Sequence, residues 1–293
     1  MMREQSKWTL GEWLFEWYEI HKRPNLSPYS LRNIEQMIRI HTPESLKRLP
    51  LAELTAYGVE KELVKLGKTR TAVYVRQVLF SALSKAARRG FMPHNVMEEV
   101  EKVRYKQQRG KALSLSEQAE FLRALETSRY KWLMLFYLHT GVRRTEALTL
   151  EWRDVDYEGR VLLIRGTKTE ESFRYIPLTE EVAAILEGQR KQNKKERAKR
   201  RSGQYHDAPP SVVFPFAREQ TSRAFKALCP NHHLHDLRHT FITRCAESGV
   251  NVTVCQQIVG HSTADMTLNV YTHVMDEFKR KEMTEKFTIN PKF

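Results

Sequence analysis

Apolar residues recur every three or four positions through the first hundred residues of the chain, which is the period of an amphipathic helix. Ser27-Pro28 is typical of a helix start, and Gly90 after two arginines is typical of a helix end. The pattern predicts a helical bundle over 1–101, with one of its helices over 53–66. The predicted inward-facing residues of its first, second and longest helices are Leu10, Trp13, Trp17 and Ile20; Leu31, Ile34 and Ile38; and Ala72, Val75, Leu79, Ala82 and Ala86.

The helical pattern is interrupted at 102–112, where basic residues and glutamines replace most of the apolar ones. This composition predicts an interdomain linker, whose cations either only solvate the segment or neutralise the phosphates of a DNA backbone. Directly after the linker, Ser114 and Glu117 have the spacing of a capping box. A second domain is therefore expected to begin there with a helix.

The second domain combines helical and strand patterns. Residues 132–138 are almost wholly apolar and predict a buried helix, and further helices are expected at 180–189 and from Thr221 onward. The short segments 161–164 and 173–178 have strand character on either side of a turn, so they predict an antiparallel hairpin. The predicted fold class is therefore mainly α with a small antiparallel sheet: a helical bundle followed by an α+β domain.

The chain is strongly basic. Its 49 Lys and Arg residues outnumber 35 Asp and Glu residues, which gives a formal net charge of +14 and a sequence pI near 9.7. This balance predicts an anionic partner, and nucleic acid is the commonest one for a protein of this kind. The stretch 190–201 contains eight basic residues and one glutamate, which is typical of a solvated loop or frayed helix, or of a direct contact with DNA.

Membrane and secreted proteins do not fit the sequence. No apolar run approaches the ~20 residues that span a bilayer, and the first ten residues lack the apolar core of a secretory signal. We therefore expect a cytoplasmic protein with no membrane partner, in a reducing compartment. The three cysteines, Cys229, Cys245 and Cys255, have neither a paired count nor a zinc-type spacing, so they are interpreted as buried thiols.

Side chains that bind phosphate or transfer protons are concentrated in five short segments of the second domain. Taken singly, each segment is a weak signal, because arginines and histidines of this kind also occur on surfaces and in cores. The five segments are Thr140-Gly-Val-Arg143, the turn that contains Lys168, His235-Asp-Leu-Arg238-His239, Gly260-His261, and Tyr271-Thr-His273.

Together, and in this order, the segments resemble the signature of the tyrosine recombinase family, also called the phage integrase family. Tyr271 lies ten residues after His261, as the nucleophile does in the family pattern, and Lys168 is similar to the family's strand-turn lysine. The resemblance covers 113–275, so it implies a catalytic domain there and a core-type DNA-binding domain over 1–101. The other similar segments are Thr140 to Arg143 with Glu146 for the first arginine box, Trp152 to Asp156 before the sheet, His235 to Thr240 for the His-x-x-Arg box, and Val259 to Ser262 for the second histidine box.

The residue types also suit the chemistry that the resemblance implies, which is cleavage of a phosphodiester by a tyrosine hydroxyl. Arg143 and Arg238 are expected to neutralise the nonbridging phosphate oxygens, because a guanidinium stays charged and matches two oxygens. No metal and no cofactor is then needed. Lys168 is the expected proton donor to the leaving 5′ oxygen, His235 the candidate base for Tyr271, and His261 a hydrogen-bond donor to the phosphate; the family allows the two histidines to exchange duties. Glu146 is expected to orient Arg143.

Four other interpretations remain open at this point. His235 and His239, four residues apart on a helix, have the spacing of zinc ligands, although Arg238 beside them would repel a dication. Tyr271 has the position of an ordinary helix-face aromatic residue. The chain is also compatible with a type IB topoisomerase, which nicks and closes DNA without pairing two sites, or with a non-catalytic DNA-binding relative, although all six predicted catalytic residues are present.

The resemblance implies a site-specific recombinase that integrates or excises a phage genome or mobile element through a 3′-phosphotyrosine. Its partners would be double-stranded recombination sites, clamped between the two domains, and an accessory excision factor in some reactions. The tail 276–293 suits an amphipathic helix that docks on a neighbouring protomer in a homotetramer. Because the chain begins almost directly at the bundle, we expect no arm-binding domain of the kind that many phage integrases carry.

Overall fold

The computed structural model describes residues 8–105, 110–166, 173–200, 211–261 and 267–272, except for the side chains of residues 199 and 200. The chain divides into two compact units, Met1–Gln108 and Arg109–Phe293, called here the N-terminal and the C-terminal unit. Among the described residues, no helix combines the length and the apolar character that crossing a membrane requires.

The N-terminal unit is a bundle of helices. Two of its helices continue into a wider turn of π-helix, over Tyr18–Lys22 and Met37–His41. The longest helix ends as the sequence predicts, because Gly90 has φ +76 and supplies the left-handed residue after the cap. The α-helices are α1 Leu10–Trp17, α2 Pro28–Gln36, α3 Glu44–Lys47, α4 Ala56–Lys65 and α5 Arg70–Arg88.

The core of this unit forms around the tryptophans of α1. Trp13 and Trp17 are 1% exposed, and the indole N–H of Trp13 donates a 2.9 Å hydrogen bond to the Ala82 carbonyl on α5. The prediction that Ile20 belongs to the same buried face is wrong, because Ile20 is 44% exposed. The π-helical turn changes the residue spacing after Trp17 and rotates Ile20 away from the core.

The C-terminal unit contains helices around a small sheet. The three strands β1 Val155–Asp156, β2 Val161–Ile164 and β3 Arg174–Pro177 are antiparallel in the order β1-β2-β3, with Leu162 opposite Ile176. The predicted hairpin is confirmed, and β1 extends it by a strand that the sequence did not indicate. The helices are α6 Leu115–Leu125, α7 Lys131–Thr140, α8 Arg144–Leu148, α9 Glu180–Arg200, α10 Arg218–Leu228, α11 Asp236–Glu247 and α12 Val252–Val259.

The helix predicted at 180–189 continues to Arg200, so of the two structures expected for the basic stretch, the helix and not the loop describes residues 190–200. α9 continues because buried polar residues, rather than regularly spaced apolar ones, attach this part of the helix to the rest of the unit. The side chain of Gln189 donates to Asn193 over 2.7 Å, and Asn193 donates to the Val213 carbonyl over 2.9 Å; both residues are buried. The predicted fold class, mainly α with a small antiparallel sheet, is confirmed.

Candidate active site

The first arginine of the site is placed by a tight turn between α7 and α8. Gly141 ends α7 with φ +62, and Arg143 occupies the N-cap position of α8 two residues later. A Cβ atom at Gly141 would collide with the ring of Phe241, so both the backbone conformation and the space require glycine. The turn fixes the position from which the Arg143 side chain extends.

Glu146 holds Arg143 in place. The Glu146 carboxylate accepts hydrogen bonds from the Arg143 backbone N–H at 2.7 Å and from its guanidinium at 2.8 Å. A second nitrogen of Arg143 donates to the Gly260 carbonyl at 2.6 Å. Burial alone would raise the pKa of the Glu146 carboxyl, but hydrogen bonds and charge from Arg174 and Arg143 lower it to about 2. Glu146 is therefore ionised and orients Arg143, as the sequence predicts.

The second arginine comes from the first turn of α11. Arg238 is 2% exposed, and one terminal nitrogen donates a 2.7 Å hydrogen bond to the Gly141 carbonyl. The other terminal nitrogen is buried and has no hydrogen-bond partner among the described residues. A buried charged donor without a partner is costly, so this position favours an anionic ligand that would accept its hydrogen bond.

The surroundings of Arg238 are strongly cationic. Burial first, and then the charge of Arg143, lower the pKa of the Arg238 guanidinium to about 9, which leaves it charged at neutral pH. The guanidiniums of Arg143 and Arg238 therefore repel each other, although the two residues are 95 positions apart in sequence. A bound phosphate would relieve both the burial penalty and the repulsion.

The second histidine box follows the end of α12. Gly260 ends this helix with φ +67, and Nδ1 of His261 lies 2.7 Å from the Thr267 hydroxyl. If the hydroxyl donates, the proton of the imidazole sits on Nε2, which is then able to donate to a phosphate. Burial, together with the charges of Arg238 and Arg143, lowers the pKa of His261 to about 4.

His235 stands at the N-cap position of α11, one turn before Arg238. Its ring centroid lies 5.1 Å from that of His239 in an edge-on arrangement. Burial lowers the pKa of His235 to about 4, and electrostatic interactions with His239 and Arg238 act in the same direction. His235 is therefore neutral at physiological pH, which is the state that a general base requires.

Tyr271 lies in a small apolar cluster of the C-terminal unit. Its ring is 6% exposed and packs with Ile242, Cys255 and Val259. The hydroxyl interacts with the Cys255 thiol but has no partner of standard hydrogen-bond geometry among the described residues. Burial raises the pKa of the Tyr271 hydroxyl, so the group is protonated in this arrangement.

The structure thus brings Arg143, Arg238, His235 and His261 together, since the other three are all close enough to His261 to affect its pKa. It places Tyr271 against Cys255, a thiol on which the charge of Arg238 also acts. Lys168 lies outside the described residues.

A cavity of about 530 Å³ adjoins the cluster. His235 and Arg238 line it together with Arg144, Arg218 and Lys226, so its wall is cationic. Within the described ranges, no three His, Cys, Asp or Glu side chains are grouped as a metal site would need. The groups that this site offers for charge neutralisation are guanidinium and imidazole groups.

Comparison with known proteins identifies the family. Residues 111–277, more than half of the chain, match the phage integrase family. The chain belongs to this family. The predicted family is therefore confirmed, and with it the predicted class of enzyme, a tyrosine site-specific recombinase.

The relatives of this phage integrase family member include named tyrosine recombinases. It is 27% identical over 247 residues to a tyrosine recombinase of Pseudothermotoga lettingae, covering 84% of this chain and 81% of that protein. It is 28% identical over 189 residues to a XerC-like tyrosine recombinase of Caldanaerobacter subterraneus subsp. tengcongensis, covering 53% of this chain. This chain spans 48%, about half, of that second relative.

Two solved integrases have the same fold. The Tn1549 transposon integrase, solved in complex with a circular intermediate DNA, superposes with a TM-score of 0.73 at 20% identity, over 94% of this chain and 99% of that one. A lambda integrase dimer bound to a core site gives a TM-score of 0.72 at 19% identity, over 88% and 97%. The likeness covers both units of the family member.

Sequence reasoning missed three residues of this site. Arg174 donates to Glu146, Thr267 contacts His261, and Cys255 contacts Tyr271. A charged residue at the start of a short strand was the only available signal for Arg174. Nothing in the local pattern marks Thr267 or Cys255, because their partners lie on other segments of the chain.

Replacing Gly141 by Ala is expected to destabilise the protein and to slow DNA cleavage. Gly249 is the matched control, since it has φ +73 but a Cβ atom added there would meet no other atom within 4 Å. Gly249→Ala should therefore cost only the left-handed strain, roughly 1–2 kcal/mol of unfolding free energy. Gly141→Ala should cost roughly 1–3 kcal/mol more, through the collision with Phe241, and should displace the carbonyl that holds Arg238. Equal losses in denaturant unfolding would show that the collision is absent.

Proposed function

We propose that this chain cuts and rejoins DNA at specific sites through a covalent 3′-phosphotyrosine at Tyr271, and so integrates or excises a phage genome or mobile element. One observation supports the proposal above the others: a buried terminal nitrogen of Arg238 is unpartnered among the described residues, and the charges of Arg238 and Arg143 both act on His235 and His261. This arrangement suits a phosphodiester, which brings two nonbridging oxygens and a negative charge.

The proposed catalytic residues are Arg143, Lys168, His235, Arg238, His261 and Tyr271. The two guanidiniums and the Nε2 proton of His261 would neutralise the nonbridging oxygens as the phosphorus becomes five-coordinate. The Tyr271 oxygen would bond to phosphorus while its proton passes to His235. The bond from phosphorus to the 5′ oxygen would break as Lys168 supplies that oxygen with a proton.

The products are a phosphotyrosine ester and a free 5′ hydroxyl. Since one phosphate ester replaces another, no energy source is needed for the reverse attack by the 5′ hydroxyl of another strand. The same residues can therefore carry out strand exchange, with the 5′ hydroxyl of a different strand as the attacking group.

Cleavage requires Tyr271 to leave the position described here. Its hydroxyl is buried against a thiol and makes no standard hydrogen bond within the described residues, so leaving that position sacrifices little polar interaction. A phosphate bound by Arg143 and Arg238 would give the Tyr271 hydroxyl a charged neighbour in place of the Cys255 thiol. We propose that DNA binding shifts the segment 267–272 so that the hydroxyl faces the phosphorus.

The proposed partner is duplex DNA containing recombination sites. Several solved relatives are bound to DNA, and one is a lambda integrase tetramer on a Holliday junction. By analogy we propose a core-binding domain over 1–101, a linker over 102–112, a catalytic domain over 113–275 and a tail over 276–293 that docks on a neighbour in a homotetramer. An accessory excision factor and a cytoplasmic location belong to the same proposal.

Joining of two sites distinguishes this function from that of a type IB topoisomerase. Two duplexes with different labels, each carrying the recombination site, are incubated with the protein, and the products are resolved by denaturing electrophoresis. The proposal predicts covalent adducts and hybrid strands that carry both labels. Relaxation of supercoiled DNA with no hybrid strand would favour the topoisomerase, and binding with no adduct would favour a non-catalytic relative.

The rate of cleavage is expected to stay flat where an ordinary histidine titrates. The pKa values of His235 and His261 are lowered to about 4 by burial, so both remain neutral from pH 8 down to about pH 5. Under limiting DNA and protein, the second-order rate constant of adduct formation reports the ionisation of the free protein. It should not fall between pH 7.5 and 6. A fall near pH 6.5 that His235→Asn removes would contradict this assignment.

A further inference from the structure

Arg174 stands at the start of β3, opposite Ile164 of β2, and all three nitrogens of its guanidinium donate hydrogen bonds. Two nitrogens donate to the two oxygens of Glu146, at 2.8 and 3.1 Å, and the third donates to the Ile258 carbonyl at 2.6 Å. The side chain is only 11% exposed. Three of its five N–H groups are thus engaged and the side chain is mostly buried, so we expect Arg174 to affect the reaction through its neighbours.

Those neighbours are the groups that hold Arg143. Glu146 and the Gly260 carbonyl accept the hydrogen bonds of the Arg143 guanidinium. Arg174 also binds both oxygens of Glu146 and packs against Gly260, where a Cβ atom would lie 2.9 Å from its guanidinium. The Ile258 carbonyl belongs to the last turn of α12, two residues before that glycine. Arg174 thus supports both acceptors of Arg143 and the start of the His261 segment.

The charges explain why this support matters. Arg143 and Glu146 alone form an ion pair of zero net charge, in which the guanidinium would be attracted to the buried carboxylate. With Arg174, the three groups carry a net charge of +1, because Glu146 is shared between two guanidiniums. Arg143 is then left with an uncompensated charge to direct at an anion.

We propose that Arg174 is a positioning residue for DNA cleavage: it neutralises Glu146 and so makes the charge of Arg143 available to the scissile phosphate. This inference rests on the proposed cleavage function. It assigns to the sheet a part in the electrostatics of the site, in addition to any part played by the turn that contains Lys168.

The test is the single-turnover rate of adduct formation on a nicked suicide duplex, with the protein saturating. Arg174→Met should lower this rate by roughly 10- to 100-fold, because the charge and position of Arg143 both change. Adding Glu146→Gln to Arg174→Met removes the carboxylate charge and returns the net charge to +1. The double variant should therefore cleave at least about tenfold faster than Arg174→Met alone.

Arg244→Met is the matched control. Arg244 also joins separate segments, through Gln118, Glu247 and the Leu113 carbonyl, but it has no contact with Glu146 or Arg143. Its replacement should alter thermal stability and leave the cleavage rate of the bound complex within about threefold of wild type. If Arg174→Met fails to fold, Arg174→Gln, which keeps one donor for the Ile258 carbonyl, takes its place in the same comparison.

The possible outcomes distinguish failure of the inference about Arg174 from failure of the proposed cleavage function. A wild-type protein that binds the duplex and forms no adduct overturns both. If the wild-type protein forms the adduct, either of two results overturns the inference alone. The first is a cleavage rate for the Arg174 variant within threefold of wild type. The second is a double variant that cleaves no faster than the single variant. A purely structural Arg174 predicts the second of these results, since removing Glu146 as well cannot restore packing.

Discussion

Tyr271→Phe is expected to abolish the covalent adduct while leaving DNA binding intact. The substitution removes only the attacking oxygen, and the ring can stay in the apolar cluster with Ile242 and Val259. Loss of a nucleophile typically lowers a rate by at least about 10⁴-fold, so no adduct should be visible on a suicide duplex. Because the hydroxyl makes no standard hydrogen bond within the described residues, the melting temperature should also change little or rise slightly.

Two measurements control that experiment. Tyr175→Phe removes a hydroxyl from a 70% exposed tyrosine of the same unit and should cleave DNA at the wild-type rate. Gel-shift binding of the intact site should be equal for both variants. A Tyr271→Phe protein that still forms an adduct would mean that another side chain is the nucleophile.

Arg238→Met is expected to lower the rate of cleavage by roughly 10²- to 10³-fold, the usual effect of removing one preorganised donor from a transition state. Methionine preserves most of the buried volume but leaves the Gly141 carbonyl without its donor. At the same time it removes the repulsion between the two guanidiniums and the cost of a buried charge. We therefore expect a large loss of rate with a change in unfolding free energy of no more than about 2 kcal/mol.

The decisive comparison for Arg238 is between rate and affinity. Only one phosphate contact is removed among the many that a duplex makes, so the dissociation constant should rise far less than the rate falls. Arg244→Met again serves as the control for loss of a partly buried arginine on α11. A variant that loses affinity and rate in equal measure would indicate that Arg238 acts in binding rather than in the transition state.

Much of the fold could be predicted because its signals are local. The capping box at Ser114 and Glu117 and the left-handed Gly90 both depend on a few adjacent residues, and both are confirmed. The prediction for Ile20 is wrong because a π-helical turn cannot be distinguished from an α-helical one by apolar spacing. The sequence also leaves open whether 190–200 is a loop or a helix, since the contact of Asn193 with Val213 joins segments twenty positions apart.

The site was only partly predictable from the sequence: its motif residues were, and the residues that support them were not. The ordered motifs identified the residues that the structure gathers around His261, because each motif has a recognisable local form. Arg174 and Thr267 act through partners 28 and 6 residues away, and neither has a local signature. The position of Tyr271 against Cys255 depends on how α11, α12 and the segment 267–272 pack, which no spacing rule specifies.

We propose that a cationic pocket built from Arg143 and Arg238 presents one DNA phosphorus to the Tyr271 oxygen. The most direct measurement is peptide mapping of the trapped adduct: the wild-type protein is reacted with a nicked suicide duplex, digested with protease and nuclease, and the crosslinked peptide is sequenced by mass spectrometry. We expect a nucleotide joined through its 3′ phosphate to Tyr271. A linkage to another residue, or to a 5′ phosphate, would contradict it.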